Sequence, residues 1–214
     1  MSYYFDRFDR FTMMKSRFFI LLTAMLAVLV NEASTQTKMF SLNNSKSSIE
    51  IEGTSTLHDW EMDADNFSCS MDVSLNSGEI SDIQKVVLNV RSKSITSDNS
   101  IMNSKTEKAI KADKYPDIDY KMVSLNGLDK TGDKYNGHIW GNLTIAGVTK
   151  YVKIDFNADV IENGNIKVTG SKKINMTDFD VSPPTAMMGS LKTGEDITIS
   201  FDLYFVPDEK LSVY

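Results

Sequence analysis

Residues 137–159, GHIWGNLTIAGVTKYVKIDFNAD, constrain this chain more than any other stretch. On the second arm Val152, Ile154, Phe156, Ala158 and Val160 are apolar, and Tyr151, Lys153, Asp155, Asn157 and Asp159 between them are mostly polar. Successive side chains of a strand point to opposite faces, so this period of two makes one dry face and one wet face. On the first arm Ile139, Leu143 and Ile145 share a face with Gly137 and Gly141. Ala146-Gly147 supplies the turn, where glycine accepts the positive φ that a tight hairpin needs. Both arms exceed the usual strand of about five or six residues. A long hairpin with one apolar face is not stable alone, so the rest of the chain must close around it.

Other segments repeat the pattern. Ile49 and Ile51 alternate with Glu50 and Glu52 and end near Gly53. Trp60, Met62 and Ala64 share a face, and then Phe67, Cys69, Met71, Val73 and Leu75 do so in the opposite parity. One inserted residue swaps the faces of a strand, so a bulge or bend is expected near Asn66. Strand character resumes over 83–90, with Val87 on the opposite face from Val86, Leu88 and Val90, and again at Ile118, Tyr120 and Met122. Ile166 and Val168 follow the turn Asn163-Gly164-Asn165, and the last alternation runs through Ile197, Ile199, Phe201, Leu203 and Phe205. The prolines at 183 and 184 mark 177–189 as a loop that joins no central strand. Ser104 and Glu107 have capping-box spacing, and Lys105 to Ala112 are mostly good helix formers ahead of Pro116, which predicts a helix of two or three turns. The count is about eight strands and one short helix. Sequential strands joined by turns make an antiparallel meander, and closing it removes the exposed edges of such long strands.

Ahead of the strands, Lys15-Ser16-Arg17 precedes a thirteen-residue stretch, 18–30 (FFILLTAMLAVLV), that is apolar but for Thr23. That fits the hydrophobic core of a signal peptide and is short for a membrane span. Residues 1–34 are therefore expected to be a signal peptide, with Met13 or Met14 an alternative start, cleavage within 31–37, and an uncleaved anchor as the other reading. Residues 35–47 are expected as a short leader, 48–206 as the barrel domain and 207–214 as a tail. The expected location is periplasmic or secreted, with no stable membrane span after cleavage.

The net charge is -6, and loss of residues 1–34 leaves 19 basic against 26 acidic residues. An acidic surface repels phosphate backbones, so nucleic acid is not an expected partner. Cys69 is the only cysteine. It can form no disulfide within the chain, and its place among Phe67, Met71 and Val73 reads as a buried small hydrophobe.

Four segments resemble the YceI-like family of extracytoplasmic, lipocalin-like barrels. These are His58-Asp59-Trp60, Lys114-Tyr115-Pro116-Asp117-Ile118, the hairpin motif GNLTIAGVTK at 141–150, and PPTAMMG at 183–189 with LKTG at 191–194. The hairpin motif is the most specific, and the resemblance covers about 48–206. Where the family usually carries R-D-x-H-L before the helix, this chain has NSIMNS at 99–104. The resemblance implies an all-β, antiparallel eight-stranded barrel that binds polyisoprenoid or a similar long-chain lipid in its lumen, and it implies no catalysis.

Trp60, Phe67, Met71, Tyr120, Ile139, Leu143, Phe156 and Phe201 belong to the apolar faces, and the residues alone leave open a solid core or a tunnel. Met102, Met187 and Met188 interrupt the strand pattern and are expected to meet at the barrel mouth, where unbranched methionine adapts to irregular shapes. Catalytic patterns are missing. There are two histidines, His58 and His138, and no Gly-x-Ser-x-Gly or H-E-x-x-H. His58 reads as a hydrogen-bonded residue at a strand start, and the carboxylates do not converge as metal ligands do. The expected partner is a hydrophobic small molecule, an isoprenoid lipid or quinone, with no other cofactor and the oligomeric state open. A filled barrel acting through protein contacts is the first rival reading. An enzyme of lipid or quinone metabolism using His58 is the second.

Overall fold

A computed structural model describes residues 35–186 and 191–208. The signal-peptide reading, Met187, Met188 and residues 209–214 lie outside the described residues. Twelve strands and one α-helix follow in chain order. They are β1 (Gln36–Leu42), β2 (Ser48–Ser55), β3 (Trp60–Ala64), β4 (Phe67–Asn76), β5 (Glu79–Arg91), β6 (Ile95–Thr96), α1 (Ser100–Ala109), β7 (Asp117–Thr131), β8 (Lys134–Ile145), β9 (Val148–Val160), β10 (Ile166–Asn175), β11 (Thr185–Ala186) and β12 (Leu191–Pro207).

Three pairs of these strands lie end to end. β1 and β2 both run along β12, β3 runs along β2 and β4 along β1, and β5 and β6 line up with β4 and β3. Each pair makes one stave, so the wall has eight staves. All neighbours are antiparallel and consecutive, and the ring closes where Leu42 lies opposite Phe205 and Ile51 opposite Ile199. The hairpin of β8 and β9 pairs continuously from Lys134↔Asp159 to Ile145↔Val148. Its odd residues on β8 and even residues on β9 face inward, as the alternation predicts.

The three composite staves break along one seam. A short 3-10 turn at Asn44–Lys46 separates β1 from β2, residues 65 and 66 separate β3 from β4, and a 3-10 turn at Ser92–Ser94 separates β5 from β6. Across the seam the freed backbone groups find new partners. Asn44 Nδ2 donates to Phe67 O at 2.5 Å, Arg91 N to Asn66 O at 2.9 Å, and Asp65 N to Ser94 O at 2.9 Å. Buried residues switch parity at each break, from Phe40 to Ile49 and Ile51, from Met62 and Ala64 to Phe67 and Cys69, and from Val90 to Ile95. The extra residues thus bend three adjacent staves without turning an apolar side chain to water.

Three expectations need correction. The leader, 35–47, contains strand β1, which carries one side of the ring closure and buries Phe40 to 1% exposure. Its sequence QTKMFSL has only two large inward residues, Phe40 and Leu42, and the exposed Met39 lies between Lys38 and Phe40, too little alternation to signal a strand. At the other end β12 extends through Pro207, one residue into the expected tail. The helix starts at Ser100, and its cap is Asn99, whose side-chain oxygen accepts from the amides of Ile101 at 3.0 Å and Met102 at 3.2 Å. Ser104 lies inside the helix, because Asn99 already satisfies the first free amides one turn earlier. None of the ten helical residues is fully buried; Met102 and Ala109 pack against the core.

Candidate functional site

The interior of the ring is solid at one end and hollow at the other. At the end where β1 pairs with β12, Phe40, Val73, Ile80, Tyr135, Ala158, Ile166 and Phe205 are all buried and belong to the core. The Tyr135 hydroxyl accepts from the amide of Ile80 at 3.1 Å, so this phenol is satisfied within the floor. Above it stands a cavity of about 400 Å³ that reaches from Phe205 and Leu203 to a rim formed by the ends of β2, β3 and β12, helix α1 and the segment before β11.

The aromatic residues of the upper barrel lie against the wall. A Cβ on Gly141 would fall 2.5 Å from the ring of Tyr120, one on Gly170 would fall 2.5 Å from the ring of Phe201, and one on Gly53 would fall 2.2 Å from the ring of Trp60. Each ring occupies the space its facing glycine leaves empty, so large aromatics line the bore without blocking it. Trp60 is fixed further by its indole N–H, which donates to Thr54 O at 3.0 Å.

Of the sequence-predicted site residues, Met71, Tyr120, Ile139, Leu143 and Phe156 are buried and line the cavity. Trp60, Met102 and Phe201 are half-buried and line it nearer the rim. Phe67 is buried in the core but does not line the cavity. It sits at the seam, where Asn44 donates to its carbonyl. Met187 and Met188 lie outside the described residues.

Two buried groups inside carry chemistry. Cys69 lines the cavity wall, and burial pushes its thiol up to about 12, which keeps it protonated and poorly nucleophilic. Tyr120 is 2% exposed and its hydroxyl has no hydrogen-bond partner in the protein. Burial first, and the Tyr151 side chain second, push this phenol up, so it remains a neutral donor inside an apolar bore.

Polar side chains gather around the rim. His58 is exposed, and its Nδ1 donates to Asp59 O at 2.6 Å, which leaves Nε2 as the acceptor of the neutral ring. Lys105 of α1 donates through Nζ to Thr185 O, so the helix is tied to the loop on the far side of the opening. Lys172 and Lys192 also line the cavity. Sequence reasoning missed all three lysines. Lys172 was legible, since Ile166, Val168, Gly170, Lys172 and Ile174 share one parity on β10 and place a lysine on the inward face. His138 lies away from this cavity, on the stretch of β8 opposite Asn126 and Asp155. Among the described residues no three of His, Cys, Asp or Glu converge as a metal site, and no helix is long and apolar enough to cross a membrane.

The same architecture occurs in solved structures. BcnA from Burkholderia cenocepacia superposes with a TM-score of 0.59 at 18% identity, covering 76% of this chain and 98% of its own. A polyisoprenoid binding domain from Saccharophagus degradans, implicated in plant cell wall breakdown, gives 0.61 at 13% identity over 79% and 98%. A YCEI protein from Campylobacter jejuni gives 0.53 at 22% identity over 68% and 82%. At these identities the likeness is one of fold. No curated protein sequence matches the chain. The profile of the YceI-like domain, however, matches residues 40–205, from the buried Phe40 of β1 to the buried Phe205 opposite it, and by that match the chain belongs to the YceI-like family.

Proposed function

We propose that this protein binds a polyisoprenoid or similar long-chain lipid in its barrel, outside the cytoplasm, as a non-enzymatic carrier or reservoir. The observation that carries the reading is the cavity of about 400 Å³, almost wholly apolar in its depth and open at one end. Pockets for small molecules span about 300–1,000 Å³. A prenyl tail there gains about 0.8 kcal/mol for each methylene buried, against the cost of immobilising the chain. The polyisoprenoid-binding description of the Saccharophagus domain supports the same ligand class. The extracytoplasmic location rests on the basic residues and apolar run at 15–30. The rival filled barrel fits poorly, because the bore above the floor is hollow.

Native mass spectrometry and organic extraction of the gently purified protein test this reading. The expected result is a co-purified hydrophobe released by denaturation. A reproducible absence of any bound lipid, with no uptake of added prenyl lipids, would overturn it.

A further inference from the structure

The charge of the cavity opposes that of the molecule. The chain carries a net charge of -6, yet Lys105, Lys172 and Lys192 line the cavity and, among the described residues, no aspartate or glutamate does. The six ion pairs among the described residues use Arg91, Lys93, Lys130, Lys153, Lys167 and Lys173, and none uses a cavity lysine. Asp155, on β9 opposite Ser171, is engaged by Lys153 at 2.7 Å. The three lysines come from separate elements, α1, β10 and β12, and all line the one cavity, so no helical or strand repeat accounts for their convergence. Lys105 is held there by its bond to Thr185 O, and Lys172 holds an inward-facing position of β10 directly opposite Ile199, which also lines the cavity.

We infer that the rim is a recognition site for an anionic head group, so that the cargo is an acidic amphiphile, a phosphate or carboxylate on a long apolar tail. This rests on the lipid-binding reading and adds an orientation to it, with the head at the lysines and the tail toward Phe205. The reverse orientation would take an anion out of water into a bore where, among the described residues, the one buried side-chain polar atom without a partner is the Tyr120 hydroxyl, and a buried charge without a counter-charge is strongly disfavoured. At the rim the same anion keeps part of its hydration and gains charge-assisted hydrogen bonds from ammonium groups.

The experiment uses three probes with one C20 tail: geranylgeranyl monophosphate, geranylgeranoic acid and geranylgeraniol. Their affinities for the delipidated protein are measured at low salt. At least one anionic probe should bind about tenfold or more tightly than the alcohol, as charged hydrogen bonds allow. The triple variant Lys105→Gln, Lys172→Gln, Lys192→Gln should bring it down to the alcohol. Unchanged alcohol binding by that variant reports an intact barrel. A preference for one anion identifies the head as phosphate or carboxylate. Equal affinity for all three probes, or a preference that survives in the triple variant, overturns the head-group inference and leaves lipid binding standing. Failure of every probe to bind overturns both.

Discussion

The two ends of the barrel use the same apolar alternation to opposite effect. At the floor Phe40, Val73, Tyr135, Ile166 and Phe205 interdigitate from several staves and leave no room. Toward the rim Tyr120, Phe201 and Trp60 are as large, but each takes the space over a glycine, and the cavity beside it stays open. Hydrophobicity alone therefore does not decide between a plug and a tunnel. What decides is whether a large residue faces another large one or a glycine across the wall.

The largest expected effect comes from the floor. Phe40→Ala should cost about 3–5 kcal/mol in denaturant unfolding, as for other buried phenylalanines, and should loosen β1 from β12. A cost under about 1 kcal/mol would show that the floor is not the packed end. The next test converts tunnel into plug. Gly141→Val puts a side chain where the Tyr120 ring lies, and should cost about 1–3 kcal/mol by overpacking while reducing the lipid retained on purification. Wild-type stability and retention would break the account of how the bore stays open. The smallest effect is expected at Tyr120. Tyr120→Phe removes a buried hydroxyl without a partner, so the lipid-free protein should gain up to about 1 kcal/mol in thermal or chemical unfolding. A loss of that size would mean that the hydroxyl is hydrogen-bonded in solution.

Much of this was legible in the sequence because the signal was periodic. The β8–β9 hairpin, the parity switch at Asn66 and the inward faces of β7 and β12 all follow from alternation over five residues or more. Legibility failed where the pattern was short or the cause was tertiary. β1 offers two large inward residues, Phe40 and Leu42, and its partners are residues of β4 and β12 far along the chain. The breaks near residues 43–47 and 92–94 are the same seam as the one at Asn66, but no long alternating run on either side exposes the change of parity. The helix start was misplaced because Ser104 and Glu107 satisfy a pattern that Asn99 had already made unnecessary. Which aromatics meet glycines across the wall cannot be read along one strand. Gly141 meets Tyr120 of β7 and Gly53 meets Trp60 of β3, pairings that depend on register. Of the cavity lysines only Lys172 can be read along one strand, from its parity on β10; Lys105 and Lys192 are ordinary surface residues until α1 and β12 bring them to the same cavity.

The pairing of Leu42 with Phe205 also sets the order in which the molecule can be made. Neighbouring staves can zip as they emerge, each against the one before it, but the first cannot meet the last until nearly the whole sequence exists. Until then the sheet is an open, curved ribbon with an oily inner side. Closure is the contact of greatest sequence separation and the natural slow step of folding, and a lipid present at that moment could be wrapped by the wall and need not thread in through the rim.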